Sequence, residues 1–166
     1  MRMHEQLHPL LQGSQRVLVV GTIASGKTSF IESISRSVHL AVYRLDDARH
    51  LFNAATIGGE ESARTSFLNT MAHNPGVFEC TGAGPLHPHI SAISSRAPFD
   101  AIIRVHTPVE ICLQRCAERR EWPPYPTNQM PDRELIKSID DELDRHGFAS
   151  EENTWKDQSL IHVQGW

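Results

Sequence analysis

The sequence predicts an α/β fold in which a parallel sheet of about five strands lies between two layers of helices. Short apolar segments alternate with longer amphipathic segments, which is typical of strands that are each followed by a helix. A glycine-rich segment joins the first strand to the first long helix, and polar residues follow several strands. Because ligands bind at the carboxyl ends of parallel strands, we expect the functional site at these strand ends.

The predicted elements follow one another in a regular order within a single domain, 1–166. The segments predicted to form strands are 16–20, 40–45, 77–80, 101–106 and 159–163. The segments predicted to form helices after the first strand are 27–37, a broken region from 46 to 73, 89–96, 107–120 and 132–146. Residues 1–14 are interpreted as an N-terminal appendage, and residues of about 115–130, which are rich in proline, as a short lid.

Composition narrows the function classes. The chain has 166 residues, of which 39% are hydrophobic and 22% charged, as expected for a globular protein. Its net charge of −4 argues against broad binding of nucleic acid or membranes, which usually requires a basic face. The three cysteines lack CxxC spacing, and no apolar stretch is long enough for a membrane span. We therefore expect a cytoplasmic protein without disulfides.

Residues 17–28 read VLVVGTIASGKT, an apolar strand that runs into the pattern GxxxxGKT. This is the P-loop pattern, in which backbone N–H groups surround phosphates, the lysine reaches the β- and γ-phosphates, and the hydroxyl of the last residue binds Mg²⁺. The following helix points its positive N-terminal end at the same charge. The sequence thus predicts binding of ATP, or alternatively GTP, with Mg²⁺. The residues expected to contact the nucleotide are Gly21, Thr22, Ala24, Ser25, Gly26, Lys27, Thr28 and Ser29.

Carboxylates at two other strand ends are candidates for the chemistry. Asp46 and Asp47 follow the second predicted strand, and alternation along a strand would turn only one of them towards the site. Asp46 is the candidate base that accepts a proton from the acceptor, or a carboxylate that orients water bound to Mg²⁺; the alternative is that both aspartates cap the next helix. Glu79 ends the third strand and is the candidate metal ligand beside Thr28, unless it faces solvent.

Arginines precede the proline-rich segment. Arg115 and Arg119 are four residues apart and are expected on one face of the helix that begins at Thr107 as N-cap, with Pro108 and Glu110 in its first turn. Next to a lid, such arginines can stabilise the charge of a phosphoryl group in transfer. We assign Arg119 to catalysis and Arg115 to nucleotide binding; the alternative is that both merely complement the helix C-terminus.

Taken together, Gly21-x4-Gly26-Lys27-Thr28, Asp46-Asp47-x-Arg49, Thr81-Gly82-Ala83-Gly84 and Arg115-x3-Arg119 resemble the small P-loop kinases of the adenylate-kinase-like group. Two further segments, Gly59-Glu60-x3-Arg64 and the Gly82–Gly84 turn, resemble motifs of shikimate kinases. The resemblance implies that Arg64, Gly82 and Gly84 hold the acceptor. The Asp-Asp-x-Arg segment is instead similar to polynucleotide 5′-kinases and zeta-toxin kinases, which implies that Asp46 is the base and that Arg49 binds acceptor phosphate.

The sequence therefore predicts an ATP-dependent kinase with Lys27, Asp46 and Arg119 as catalytic residues. Its acceptor is expected to be a hydroxyl or phosphate of a small metabolite or nucleotide, held by Asp46, Arg49, Arg64, Gly82 and Gly84. We expect the acceptor to be anionic because two arginines border its site. The alternatives are a polynucleotide 5′-hydroxyl kinase, which the acidic net charge does not favour, and an ATPase or GTPase switch or nucleotide-binding module without an acceptor.

Overall fold

A computed structural model describes residues 3–125 and 130–165 of the chain, and six strands in these ranges form one sheet. The strands are β1 (Arg16–Val20), β2 (Val42–Arg44), β3 (Gly76–Glu79), β4 (Ala101–His106), β5 (Thr154–Trp155) and β6 (Gln158–Gln164). Their spatial order is β2-β3-β1-β4-β6-β5. The first five in this order run parallel, and only the two-residue β5 is antiparallel to its neighbour β6. The predicted parallel α/β sheet is confirmed, with β5 as an additional strand.

Helices cover both faces of the sheet. They are α1 (Met3–Leu11), α2 (Lys27–Val38), α3 (Leu45–Phe52), α4 (Gly59–His73), α5 (His87–Arg96), α6 (Val109–Glu118) and α7 (Arg133–Leu143). A short 3₁₀ turn, Gly84–Leu86, precedes α5, and an irregular turn, Asp144–Phe148, follows α7. None of the described helices has the length and apolar character needed to cross a membrane.

Alternation along β1 divides the core into two layers. Leu18 and Val20 pack on one face in a cluster that includes side chains of α4, α5 and α7. Val17 and Val19 pack on the other face, against α1 and α2. The N-terminal segment, which the sequence suggested as an appendage, contributes Leu7 and Leu11 to this second layer. All of the strand residues of β1 after Arg16 are buried, so the strand is a rigid base for the loop that follows it.

The structure differs from the predicted pattern around Asp46 and Thr107. The second strand ends at Arg44, and Asp46 and Asp47 lie in the first turn of α3, where their negative charge complements the helix N-terminus. Thr107 does not cap α6: Pro108 occupies the N-cap position, and the Thr107 hydroxyl donates to the Ser25 carbonyl at 2.6 Å instead. A tertiary partner has thus replaced the local hydrogen bond that the sequence pattern predicted.

A buried arginine joins β4 to α7. The Arg104 side chain is 1% exposed, and its guanidinium donates to Asp140 Oδ1 at 3.0 Å, to Asp144 and to the Phe148 carbonyl. Arg104 points to the same sheet face as Ile102, the face that α7 covers. The ion pairs therefore fix the position of α7 on the sheet.

We predict that Arg104→Ala lowers the free energy of unfolding by about 3 kcal/mol, because it removes a fully buried side chain and leaves the α7 carboxylates and a carbonyl without their partner. Urea unfolding followed by circular dichroism measures the change. The matched control is Arg96→Ala, at an exposed position of α5, which should change stability by less than about 0.5 kcal/mol. Equal stability of the two variants would contradict this role.

Candidate active site

One cleft of about 720 Å³ opens at the carboxyl ends of β1, β2 and β3. Residues 23–29, which follow β1, border one side, called here the P-loop end. The other side is called here the α3–α4 end. It is bordered by side chains of α3, of α4 and of the segment after α6, namely Asp46, Arg49, Arg64 and Tyr125. Leu135, Ser138, Ile139 and Glu142 of α7 also line the cleft. The strand-end location agrees with the rule for parallel sheets.

The backbone of the P-loop turns sharply where its glycines lie. A Cβ on Gly21 would lie 2.6 Å from the Ser25 hydroxyl and 2.9 Å from the Val105 carbonyl, so no larger residue fits there without a shift. Gly26 has a φ of 98°, a conformation that L side chains rarely adopt, directly before α2. These two positions let the loop close over the end of β1 and turn its N–H groups and the start of α2 towards the cleft.

Lys27 lies at the centre of this loop. Its Nζ donates to the carbonyls of Gly21 at 2.9 Å and Thr22 at 2.8 Å, and no carboxylate of the described residues forms an ion pair with it. Burial lowers the pKa of the Lys27 amine, while Glu79 and Asp46 act in the opposite direction from a distance. A half-buried amine with only neutral partners favours an anion in the cleft.

Glu79 connects the P-loop to the neighbouring strands. Its Oε1 accepts from the Thr28 hydroxyl at 3.0 Å, and its Oε2 accepts from Arg44 Nε at 2.9 Å. Arg44 and Glu79 are partners in the parallel register of β2 and β3, which brings their side chains to the same sheet face. Glu79 is buried, with 8% of its surface exposed, so it does not face open solvent. Thr28 and Glu79 thus present two oxygen ligands beside Lys27.

Asp46 begins a network of charged groups at the α3–α4 end. Its Oδ1 accepts from Arg49 Nη1 at 2.8 Å, one helical turn further along α3. Arg49 donates to Glu60 through Nε at 3.0 Å and Nη2 at 2.9 Å, and Arg64 Nε also donates to Glu60 at 2.9 Å. The Asp46 side chain is 38% exposed and lines the cleft, whereas Asp47 is 68% exposed and lies outside it. The structure thus brings Asp46, and not Asp47, into the cleft.

The network controls the charge of its members. Burial alone would lower the pKa of Arg49, but hydrogen bonds to Glu60 and Asp46 outweigh it and raise the pKa. Burial likewise acts to raise the pKa of Glu60, and the contacts with Arg49 and Arg64 outweigh it and lower the pKa. Arg49 and Glu60 therefore form a charged pair at neutral pH.

Tyr125 covers the network from the segment after α6. The Arg49 guanidinium lies 5.0 Å from the centre of its ring, within the range of a cation–π contact. Burial and the nearby Asp46 raise the pKa of the Tyr125 hydroxyl to about 12, so this group is a neutral hydrogen-bond donor. Residues 126–129 of the predicted lid lie outside the described residues.

The two lid arginines both line the cleft but have different partners. Arg115 Nη1 donates to the Ala24 carbonyl of the P-loop at 3.2 Å. Arg119 lies beyond the last residue of α6, Glu118, so the predicted helix to residue 120 is too long. Its Nε donates to the Glu121 carbonyl at 2.9 Å, and its guanidinium lies 4.6 Å from the centre of the Trp122 ring. Arg115 thus contacts the P-loop, and Arg119 contacts the segment after α6.

Most of the predicted site residues lie together in the cleft. Those that line it are Ala24, Ser25, Gly26, Lys27, Thr28, Ser29, Asp46, Arg49, Arg64, Glu79, Gly84, Arg115 and Arg119. Three predicted residues do not line it. Gly21 lies under the loop, the Thr22 hydroxyl donates to the Ile136 carbonyl at 2.7 Å, and Gly82 is buried, where an added Cβ would lie 2.6 Å from Val20.

The sequence did not indicate several residues that line the cleft or contact residues that line it. Glu60 contacts Arg49 and Arg64, and its spacing of four from Arg64 on a helix could have indicated the second ion pair. Tyr125 gave no signal beyond its place in a proline-rich loop, and Arg44 none beyond the strand end. The contribution of α7, including Glu142, which accepts from the Gly84 N–H at 2.8 Å, depends on tertiary packing that no local pattern encodes.

The P-loop end fits a triphosphate with Mg²⁺. The Ser25 hydroxyl is buried in the loop and has no hydrogen-bond partner among the described residues, and a Cβ at Gly21 would close the space next to it. Mg²⁺ in such sites is held by one or two protein oxygens and by the phosphates of the substrate. Thr28 and Glu79 supply such oxygens. In residues 3–125 and 130–165 no group of three or more His, Cys, Asp or Glu could hold a metal ion.

No protein-family model matches the chain, and no curated protein matches its sequence. Solved structures do match it. A gluconokinase from Sinorhizobium meliloti 1021 is 16% identical with a TM-score of 0.59, over 90% of this chain and 82% of its own. A shikimate kinase from Aquifex aeolicus vf5 is 18% identical with a TM-score of 0.55, over 90% and 86%. A deoxyadenosine kinase from M. mycoides, solved with bound dATP, is 12% identical with a TM-score of 0.53, over 90% of each chain.

These neighbours have the fold of small P-loop kinases, and this chain shares it. The predicted three-layer α/β/α fold of the P-loop NTPases is therefore confirmed.

Proposed function

We propose that the chain is an ATP-dependent kinase that transfers a phosphoryl group to a hydroxyl of a small molecule. The observation that carries this proposal is that Lys27 and Asp46 line the same cleft. Lys27 is suited to bind a triphosphate, and Asp46 is suited to bind an acceptor hydroxyl. The fold neighbours support it, because three of them are a gluconokinase, a shikimate kinase and a deoxyadenosine kinase. A switch without an acceptor would not require the α3–α4 end.

The P-loop end would bind the nucleotide. The N–H groups of residues 24–29 and the N-terminus of α2 would surround the phosphates, and Lys27 would neutralise part of their charge. Thr28 and Glu79 would hold Mg²⁺ directly or through its water, with Arg44 fixing the Glu79 carboxylate. When bound, ATP supplies the phosphoryl group and Mg²⁺ neutralises charge that develops on its oxygens.

The α3–α4 end would bind and activate the acceptor. Arg49 holds the Asp46 carboxylate through the 2.8 Å hydrogen bond, so that Asp46 can accept the proton of an acceptor hydroxyl. The hydroxyl oxygen then forms the new bond to phosphorus while the bond to the leaving nucleotide oxygen breaks. Arg115 and Arg119 would stabilise the negative charge on the transferred group from the lid side. Arg64 and the Gly84 turn would border the acceptor.

We predict that Lys27→Ala weakens ATP binding by about tenfold to a hundredfold, the loss expected for hydrogen bonds to a charged partner. Isothermal titration calorimetry with a non-hydrolysable ATP analogue and Mg²⁺ measures the change. The matched control is Lys137→Ala, an exposed position of α7 outside the cleft, which should leave the affinity unchanged. An unaltered affinity of Lys27→Ala would contradict the assignment of the P-loop end.

We predict that Asp46→Asn lowers acceptor-dependent ADP release by about 10²–10⁴-fold, because the amide accepts the Arg49 hydrogen bond but does not take up a proton. Its affinity for the ATP analogue should stay close to that of the wild type. Asp47→Asn is the control, since Asp47 lies one residue away but outside the cleft. Transfer by Asp46→Asn at a rate near that of Asp47→Asn would show that Asp46 is not the base.

A further inference from the structure

One face of α7 forms a wall of the cleft. The residues of α7 that line the cleft are spaced three and four apart, which places them on the same side of the helix, and they are Leu135, Ser138, Ile139 and Glu142. Other positions hold the helix in place: the Thr22 hydroxyl donates to the Ile136 carbonyl at 2.7 Å, and the buried Arg104 pairs with Asp140. The wall is therefore a fixed surface against which a ligand can lie.

Glu142 is held in this wall through one of its two carboxylate oxygens. Its Oε1 accepts from the Gly84 N–H at 2.8 Å and lies 3.0 Å from His146 Nε2. Its Oε2 has no hydrogen-bond partner among residues 3–125 and 130–165, and the side chain is 27% exposed. The hydrogen bond from Gly84 lowers the pKa of the Glu142 carboxyl and outweighs the opposite effect of burial, so the group is a carboxylate at neutral pH. Glu142 thus has one free, charged oxygen in a side chain that lines the cleft.

The carboxylates of the cleft differ in which of their oxygens remain free. Glu79 uses both oxygens within the protein. Asp46 uses Oδ1 for Arg49, and its Oδ2 has no hydrogen-bond partner in the described part of the chain. Asp46 and Glu142 are therefore alike, since the protein fixes each of them through one oxygen and leaves the other free. Such a carboxylate can accept from a ligand hydroxyl without giving up a bond within the protein.

The Glu142 contact also changes what the turn at Gly84 offers an acceptor. The sequence resemblance implied that Gly84 holds the acceptor, but its N–H already donates to Glu142. A ligand at this point of the cleft therefore meets a carboxylate, which accepts hydrogen bonds, rather than a free backbone donor. The complementary ligand group is a hydroxyl, because it donates.

We propose that Glu142 is a specificity-determining residue whose Oε2 accepts a hydrogen bond from a second hydroxyl of the acceptor. The acceptor is then a polyhydroxyl compound, with one hydroxyl activated by Asp46 and another bound by Glu142. This inference rests on the proposed kinase function and adds the substrate class to it. A site built to pair with a hydroxyl discriminates against an analogue that lacks it, because the polar group of the site is then left without a partner.

The first experiment measures binding without turnover. Wild type, Glu142→Gln and Asp141→Asn, with ¹³C in their glutamate carboxyl groups and ¹⁵N in their backbone, are titrated with ribitol, glucose, gluconate and adenosine in the presence of the ATP analogue and Mg²⁺. NMR shifts of the α7 amides give the affinities, and the Glu142 carboxyl signal reports the contact itself. Asp141→Asn is the matched control, because Asp141 is the neighbour of Glu142 on α7 and its 47% exposed side chain lies outside the cleft.

We expect at least one of these compounds to shift the Glu142 carboxyl signal of the wild type. The same compound should bind about tenfold more weakly to Glu142→Gln, where a neutral hydrogen bond replaces a charge-assisted one, and equally well to Asp141→Asn. A Glu142 signal that none of the compounds shifts would overturn the proposal, and so would equal affinity of the wild type and Glu142→Gln. The wild-type signal decides the matter even if Glu142→Gln folds poorly.

The second experiment compares kcat/KM for adenosine and glucose with that for their monodeoxy analogues. For a compound that is phosphorylated, removal of one non-reacting hydroxyl should lower kcat/KM of the wild type at least about tenfold, and the same removal should have a much smaller effect on Glu142→Gln. An equal loss in both proteins would overturn the proposal. Absence of ADP release with every compound would count against the kinase function alone, because the NMR titration needs no turnover.

Discussion

The parallel register of β2, β3 and β1 is the constraint on which the site depends. Arg44 is aligned with Glu79, and Glu79 with Val19, so the strand that leads into the P-loop ends beside the carboxylate that Thr28 contacts. A shift of one residue in β3 would turn Glu79 to the opposite face and separate it from Thr28 and Arg44. The clusters on the two faces of the sheet resist such a shift, because it would also move Phe78 out of the cluster in which it packs and into the one on the opposite face. Packing of the core thus determines where Glu79 and its partners Thr28 and Arg44 lie at the carboxyl ends of the strands.

The two ends of the cleft differ in how their positive charges are compensated. At the P-loop end, Lys27 has only backbone carbonyls as partners, and Arg115 contacts a carbonyl of the same loop. At the α3–α4 end, Arg49 and Arg64 already pair with carboxylates. The P-loop end, where the cations have only carbonyl partners, is therefore the side of the cleft suited to a polyanionic donor.

Local patterns predicted the fold and the P-loop end well. β1, the glycine-rich loop and α2 are adjacent in sequence, so spacing alone defines them, and burial of β1 follows from its apolar run. The α3–α4 end was predicted only in its residue types. Asp46 was predicted to follow a strand that ends at residue 45, whereas β2 ends at Arg44 and α3 begins at Leu45. The predicted Thr107 cap is absent because the Thr107 hydroxyl donates to the Ser25 carbonyl, which is distant in sequence. The pairing of Arg49 with Glu60 depends on the packing of α3 against α4, which the intervening turn does not reveal.

The central claim is that both ends of the cleft act in one transfer reaction, and ATP turnover in the presence and absence of acceptors tests it most directly. The assay follows ADP formation by the wild type with Mg²⁺, alone and with a panel of polyols, sugars, nucleosides, nucleotides and 5′-hydroxyl oligonucleotides, and mass spectrometry identifies any phosphorylated product. The account predicts slow ADP formation without acceptor, an increase of at least about tenfold with a small hydroxyl compound, and one phosphorylated product for each ADP formed. Hydrolysis of ATP at a rate that no compound changes, without a phosphorylated product, would contradict it.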